Sequence, residues 1–111
     1  MEKKVAIYVR VSTKDQSVDM QLNDLERYSR ERGLNDFKIY EDSGVSGTKE
    51  TRPALTELMD DAKKRKFDIV LVWRFDRFAR STKHLVTALY EFRNLGIDFI
   101  SYQENIDTSS P

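Results

Sequence analysis

Residues 68–73 read DIVLVW, a run that is apolar without interruption after its first residue. A strand with one wet face alternates polar and apolar side chains, whereas an unbroken run belongs to a strand covered on both faces. Such a strand sits inside a sheet, and the rest of the chain has to provide the cover. Most of the other segments read as that cover or as further strands.

Residues 4–11 alternate, with Val5, Ile7, Val9 and Val11 on one face and Tyr8, Arg10 and then Ser12 on the other. Residues 15–32 predict an amphipathic helix. Its stripe is Val18, Leu22, Leu25 and Ser29, flanked by Met20 and Tyr28, and Gly33 is its stop. Residues 37–41 alternate again and lead into the loop-like DSGVSG at 42–47. A second helix starts near Thr51-Arg52-Pro53, where proline suits a first turn, and buries Leu55, Leu58, Met59 and Ala62. Its end, Lys63-Lys64-Arg65-Lys66, either complements the negative end of the helix dipole or contacts DNA; the dipole role is the simpler one. Leu85, Val86, Leu89 and Phe92 make a third helical stripe closed by Gly96. Residues 97–101 form a last strand, and 103–111 are a polar tail.

The order β-α-β-α-β-α-β predicts an α/β fold. Its sheet is mostly parallel, of four strands or slightly more, with helices on both faces. The 111 residues suffice for one domain and its core. With 19 basic and 19 acidic residues the formal net charge is zero, so any contact with nucleic acid has to be local. The absence of cysteine excludes disulfides and thiolate metal sites. No apolar run approaches membrane-spanning length and no signal peptide is evident, which fits a cytoplasmic protein.

Sheets of this kind bind ligands beyond the carboxyl ends of their strands. That edge gathers Arg10 and Ser12, residues 42–46, residues 74–80 and residues 103–107. A guanidinium and a hydroxyl two residues apart suit a phosphate; the alternative is an exposed arginine followed by a Ser-Thr helix cap. Arg74, Asp76, Arg77 and Arg80 crowd into seven residues, the last two at or just before a helix that Ser81 or Thr82 caps. Cations there oppose the dipole by roughly 0.3–1 kcal/mol each, and a bound phosphate reverses that sign. A surface Asp76–Arg80 ion pair is the competing explanation. Arginines beside Asp76 hold it ionised, which favours a positioning role. His84, the sole histidine, lies too far along the helix for a Ser-His-Asp triad to be supported. The adjacent acidic pairs Glu41-Asp42 and Asp60-Asp61 diverge on a strand or helix, so they read as solvated or salt-bridged rather than as metal ligands. The first loop is no Walker A, and a receiver domain would want acids where Arg10 and Ser12 stand.

Three segments together resemble the serine recombinases. These are YVRVST at 8–13 with Gln16, Asp19 and Gln21; DSGVSG at 42–47 with Arg52, Pro53 and Leu55; and FDRFARS at 75–81. The resemblance covers nearly the whole chain and implies a resolvase-like catalytic domain over residues 1–106. It implies that Ser12 attacks a DNA phosphodiester, making a transient 5′-phosphoserine and a 3′-hydroxyl before strand exchange and religation, with no cofactor. By the same resemblance Arg10, Arg77 and Arg80 carry the phosphate, Asp76 joins them, and Tyr8, Gln16, Gln21, Asp42, Ser46 and Arg52 support them. The implied partners are duplex DNA at a crossover site and copies of the same protein, a homodimer assembling to a homotetramer. Residues 107–111 resemble the lead-in to a dimerisation helix and a DNA-binding region. Trp73, Arg74, Phe75 and Phe78 are bulkier than that family's pattern. A non-catalytic DNA- or protein-association module and a small-molecule phosphatase using Ser12 are the alternatives, separated by whether Ser12 captures DNA covalently.

Overall fold

The computed structural model describes residues 3–12, 18–44, 52–79 and 81–108. Their elements are β1 (Lys4–Ser12), α1 (Val18–Glu31), β2 (Asp36–Gly44), α2 (Pro53–Lys63), β3 (Ile69–Val72), α3 (Phe75–Phe78), α4 (Thr82–Asn94), β4 (Asp98–Ser101) and β5 (Ile106–Asp107). They form one sheet in the order β2-β1-β3-β4-β5, parallel through its first four strands, with β5 antiparallel to β4.

The apolar run is covered as its composition demands. All four residues of β3 are buried. Ile69 and Leu71 pack with Val5, Ile7, Val9 and Leu25, which belong to β1 and α1. Val70 and Val72 pack on the opposite face with Ala6, Tyr8, Leu58, Ala88, Phe92 and Phe99. The helix that follows β1 therefore lies on one face, and α2 and α4 lie on the other. A sheet whose chain runs outward from β1 to β2, then back past β1 to β3, needs that arrangement.

Three helices end in the same way. The Leu34 N–H donates to Ser29 O and the Gly33 N–H to Arg30 O, both at 2.9 Å, with Gly33 at φ 76°. Ile97 and Gly96 repeat the pair on Phe92 and Arg93, with Gly96 at φ 72°. At α2 the left-handed residue is Arg65, φ 56°, where the Arg65 and Lys66 N–H groups reach Ala62 and Asp61. A Cβ in that conformation costs on the order of 1–2 kcal/mol. Arg65 meets that cost while its guanidinium donates to Leu95 O at the end of α4, so part of the basic run complements the dipole of a neighbouring helix.

Several expectations need correcting. β2 continues through Gly44, pairing Arg10 with Asp42 and Ser12 with Gly44, where the sequence reads as loop. Val86, assigned to a buried stripe, is 48% exposed, and Ala88 is buried in its place; Met20, placed beside the first stripe, is also exposed. Of the two readings of Asp61, solvated or salt-bridged, the second holds: it is buried, pairs with Lys66 and Lys38 at 3.6 and 3.8 Å, and accepts from the Tyr40 hydroxyl at 2.7 Å. The short helix α3 and the strand β5 have no counterpart in the sequence reading. Among the described residues no helix is long and apolar enough to cross a membrane.

Candidate active site

The strand order reverses direction at β1, so the carboxyl ends of β1 and β3 lie side by side, the position where open α/β sheets hold ligands. β1 brings Tyr8, Arg10 and Ser12 to that position, and β3 leads directly into α3, which carries Asp76 and Arg77.

Asp42 ties this edge together. Its carboxylate accepts from the Tyr8 hydroxyl at 2.8 Å, from the Ala54 N–H at 2.8 Å and from the Leu55 N–H at 3.0 Å. Ala54 and Leu55 stand in the first turn of α2, whose own N-cap, Arg52, makes no side-chain capping bond. Asp42 supplies that cap from the neighbouring strand and places an anion at the positive end of the dipole. The Tyr8 ring is fully buried, and burial first, then the Asp42 bond and charge, push its hydroxyl far above the usual phenol range. The Arg52 and Arg10 guanidiniums act in the opposite sense, which sets both cations electrostatically close to this phenol. Tyr8 is thus a protonated donor at neutral pH.

Arg52 is buried and donates through Nη1 to Phe78 O at 2.6 Å. That oxygen closes the carboxyl end of α3, so a cation from the start of α2 meets the negative end of the short helix. Phe78 fixes the same end by packing against Tyr8, Phe92 and Phe99, with ring centroids 6.0, 6.0 and 5.2 Å away. At the other end the Phe75 N–H meets the carboxylate of Glu104, which the sequence places at this edge among residues 103–107 of the polar tail but without a role. One polar residue in such a tail carries no pattern that singles it out.

The structure therefore groups Tyr8, Arg10, Asp42 and Arg52 with the ends of β1 and β3 and with α3. The Asp76 side chain is exposed and lies 3.3 Å from Arg74 Nε. Gln21 is buried on α1, on the other face of the sheet, and its Oε1 has no hydrogen-bond partner among the described residues. The His84 ring stacks on Phe78 at 6.1 Å, and the His84 backbone N–H donates to the Ser81 cap. Gln16, Ser46 and Arg80 lie outside the described residues. A cleft of about 690 Å³ opens at the opposite edge of the sheet, lined by Lys4, Lys38, Tyr40, Asp61 and Lys66 among others. It contains none of the residues singled out for chemistry.

Known proteins place the chain as a whole. The profile described as "Resolvase, N terminal domain" matches residues 5–111. The serine recombinase gin of Escherichia phage Mu is 43% identical over 104 residues, which are 94% of this chain and 49% of that protein. The chain thus spans about half the length of such curated relatives. The crystal structure of the N-terminal catalytic domain of TP901-1 integrase superposes with a TM-score of 0.81 at 43% identity, over 97% of this chain and 83% of that one. A resolvase family site-specific recombinase from Streptococcus pneumoniae gives 0.84 at 30% identity, over 99% and 78%.

Proposed function

The chain belongs to the family of resolvase N-terminal domains, and from that premise we propose that it is the catalytic domain of a site-specific DNA recombinase in which Ser12 is the nucleophile. The observation that carries this reading is the meeting of β1, ending in Arg10 and Ser12, with the Arg77-bearing α3 at the switch point of the sheet. Asp42 and Arg52 fasten that meeting from β2 and α2.

The Ser12 hydroxyl oxygen attacks a phosphodiester phosphorus and gives up its proton. The bond from phosphorus to the 3′ oxygen breaks, and that oxygen leaves as a hydroxyl after taking a proton. The 5′ end stays on the protein as a phosphoserine ester. Attack by a 3′-hydroxyl from a second broken strand runs the same step backwards, so the bond energy is kept and no nucleotide cofactor is spent. Arg10, Arg77 and Arg80 stabilise the charge on the phosphoryl oxygens, the electrostatic contribution that usually dominates such reactions. Asp76, Gln16, Gln21 and Ser46 serve around them, while Tyr8, Asp42 and Arg52 hold the framework. The substrate is duplex DNA at a crossover site, reached in the cytoplasm by a homodimer that pairs into a homotetramer.

Ser12→Ala in the full-length protein is expected to abolish covalent capture of a crossover-site duplex, a loss of at least about 1,000-fold, while the thermal midpoint and site affinity stay near wild type. Denaturing gels that show a protein–DNA adduct for the Ala variant would overturn the assignment.

A further inference from the structure

A helix of four residues cannot hold itself in place, because it bears the cost of nucleation and gains almost nothing from propagation. α3 has no cap of its own: Arg74, the preceding residue, is extended at φ −150° and ψ 157° and makes no side-chain capping bond. The missing acceptor comes from 29 residues away, where both carboxylate oxygens of Glu104 lie 3.3 Å from the Phe75 N–H. Glu104 is itself held by the hydroxyl of Ser101, a fully buried residue that ends β4.

The turn that carries Glu104 is fixed in register. The Tyr102 N–H donates to Val72 O at 2.9 Å and the Gln103 N–H to Trp73 O at 3.0 Å, which extend the β3–β4 ladder. Asn105, at φ 56°, closes the turn back to Tyr102 O. Tyr102 stacks on Trp73 with centroids 5.2 Å apart. Backbone, ring and carboxylate all bind this turn to the stretch between β3 and α3.

We infer that Glu104 is a positioning residue for α3: anchored by Ser101, it sets the amino end of the helix and thereby the place of Arg77 at the carboxyl end of β1. This inference rests on the recombinase reading above. Arg52 and Glu104 then hold the helix from opposite ends, a cation on its carboxyl end and an anion on its amino end. Misplacing a charged group by about an ångström costs up to about 100-fold in rate, so a fastening of this kind is felt in the chemical step rather than in substrate affinity.

The test uses the full-length protein with Glu104→Ala, Glu104→Gln and Ser101→Ala. Two quantities are read: single-turnover cleavage of a crossover-site duplex, and amide hydrogen exchange over residues 75–78. Glu104→Ala is expected to slow cleavage about 10- to 100-fold with site affinity within about twofold, and to speed exchange at Phe75 selectively. Glu104→Gln keeps an acceptor oxygen and recovers most of the cleavage rate, and Ser101→Ala shows a weaker form of the Ala defect. Unchanged exchange at residues 75–78 in Glu104→Ala overturns the inference. So does a cleavage loss that Gln fails to restore and that merely tracks the thermal midpoint. If the wild type cleaves no duplex, the recombinase reading falls, and the exchange measurement alone still upholds or overturns the fastening of α3 by Glu104.

Discussion

Tyr8 and Tyr40 are neighbours on adjacent strands, paired in register between β1 and β2, and both are buried in the same core. Their hydroxyls nevertheless serve opposite edges of the sheet. Tyr8 donates to Asp42, which holds the amino end of α2, and Tyr40 donates to Asp61 in the last turn of that same helix. Asp42 lies at the positive end of the helix dipole and accepts from two of its amides. Asp61 is an anion at the negative end, and Lys66 and Lys38 stand 3.6 and 3.8 Å from it. The Tyr40 bond and these two cations together hold its carboxyl below the usual range against the effect of burial. The lesson is one of distribution. At the amino edge lysines are drawn to a carboxylate, whereas at the carboxyl edge the carboxylate takes a phenol and two backbone amides.

The contrast predicts unequal responses. Asp42→Ala removes three acceptor bonds at once and leaves a buried phenol and two helix amides to find new partners. It is expected to cost about 3 kcal/mol in denaturant unfolding and, in the full-length protein, to impair cleavage even where the fold survives. Asp61→Asn keeps an acceptor for Tyr40 and gives up ion pairs with lysines that are 59% exposed, so about 1 kcal/mol is expected, with cleavage unaffected in the folded protein. Finding Asp61→Asn the more damaging would break the comparison.

The smallest effect is in the pH profile. A carboxyl held below its ordinary value contributes stability that is present above the unfolded carboxylate range, near pH 4, and is lost as pH falls further. Asp61→Asn should therefore flatten the acid limb of a stability–pH curve. Tyr8 and Tyr40 are shifted the other way, so their contribution is complete below about pH 10 and declines as pH rises past it. Tyr40→Phe should flatten that alkaline limb and weaken the acid one as well, because the Tyr40 bond is the first cause of the low Asp61 carboxyl. An acid limb identical in wild type and Asp61→Asn would show that Asp61 titrates alike in both states.

How much of this is legible in the sequence depends on whether a feature has a period. The β3 run, the alternation of β1 and the stripes of α1 and α2 repeat often enough to fix fold class and strand edge together. In α4 the spacing Leu85, Ala88, Leu89, Phe92 is the better helical row, and Val86, though larger than Ala88, lies beside it and is exposed. β2 looks like loop beyond Glu41 because Asp42, Ser43 and Gly44 are poor strand formers, yet β1 pairs with them through Ser12. α3 and β5 are too short for any pattern. The same divide runs through the site. Tyr8 and Arg10 stand out on the polar row of β1, and Asp42 and Arg52 enter through the family resemblance, but their partners include Phe78 O and the amides of Ala54 and Leu55, backbone groups that no sequence marks. Glu104 escapes for the same reason, since the group it meets is an amide.

The left-handed arginine after α2 has a consequence for how this sequence tolerates change. A Cβ on Gly96 would lie 2.9 Å from Arg65 Nη1. A guanidinium swings aside easily, so the collision itself is cheap; what is lost is its hold on Leu95 O. Positions 65 and 96, 31 residues apart, are therefore epistatic. A side chain at 96 is charged both for its backbone conformation and for the broken tether while arginine remains at 65, and only for the first once that arginine is gone. The order in which the two substitutions arise decides which of them selection sees.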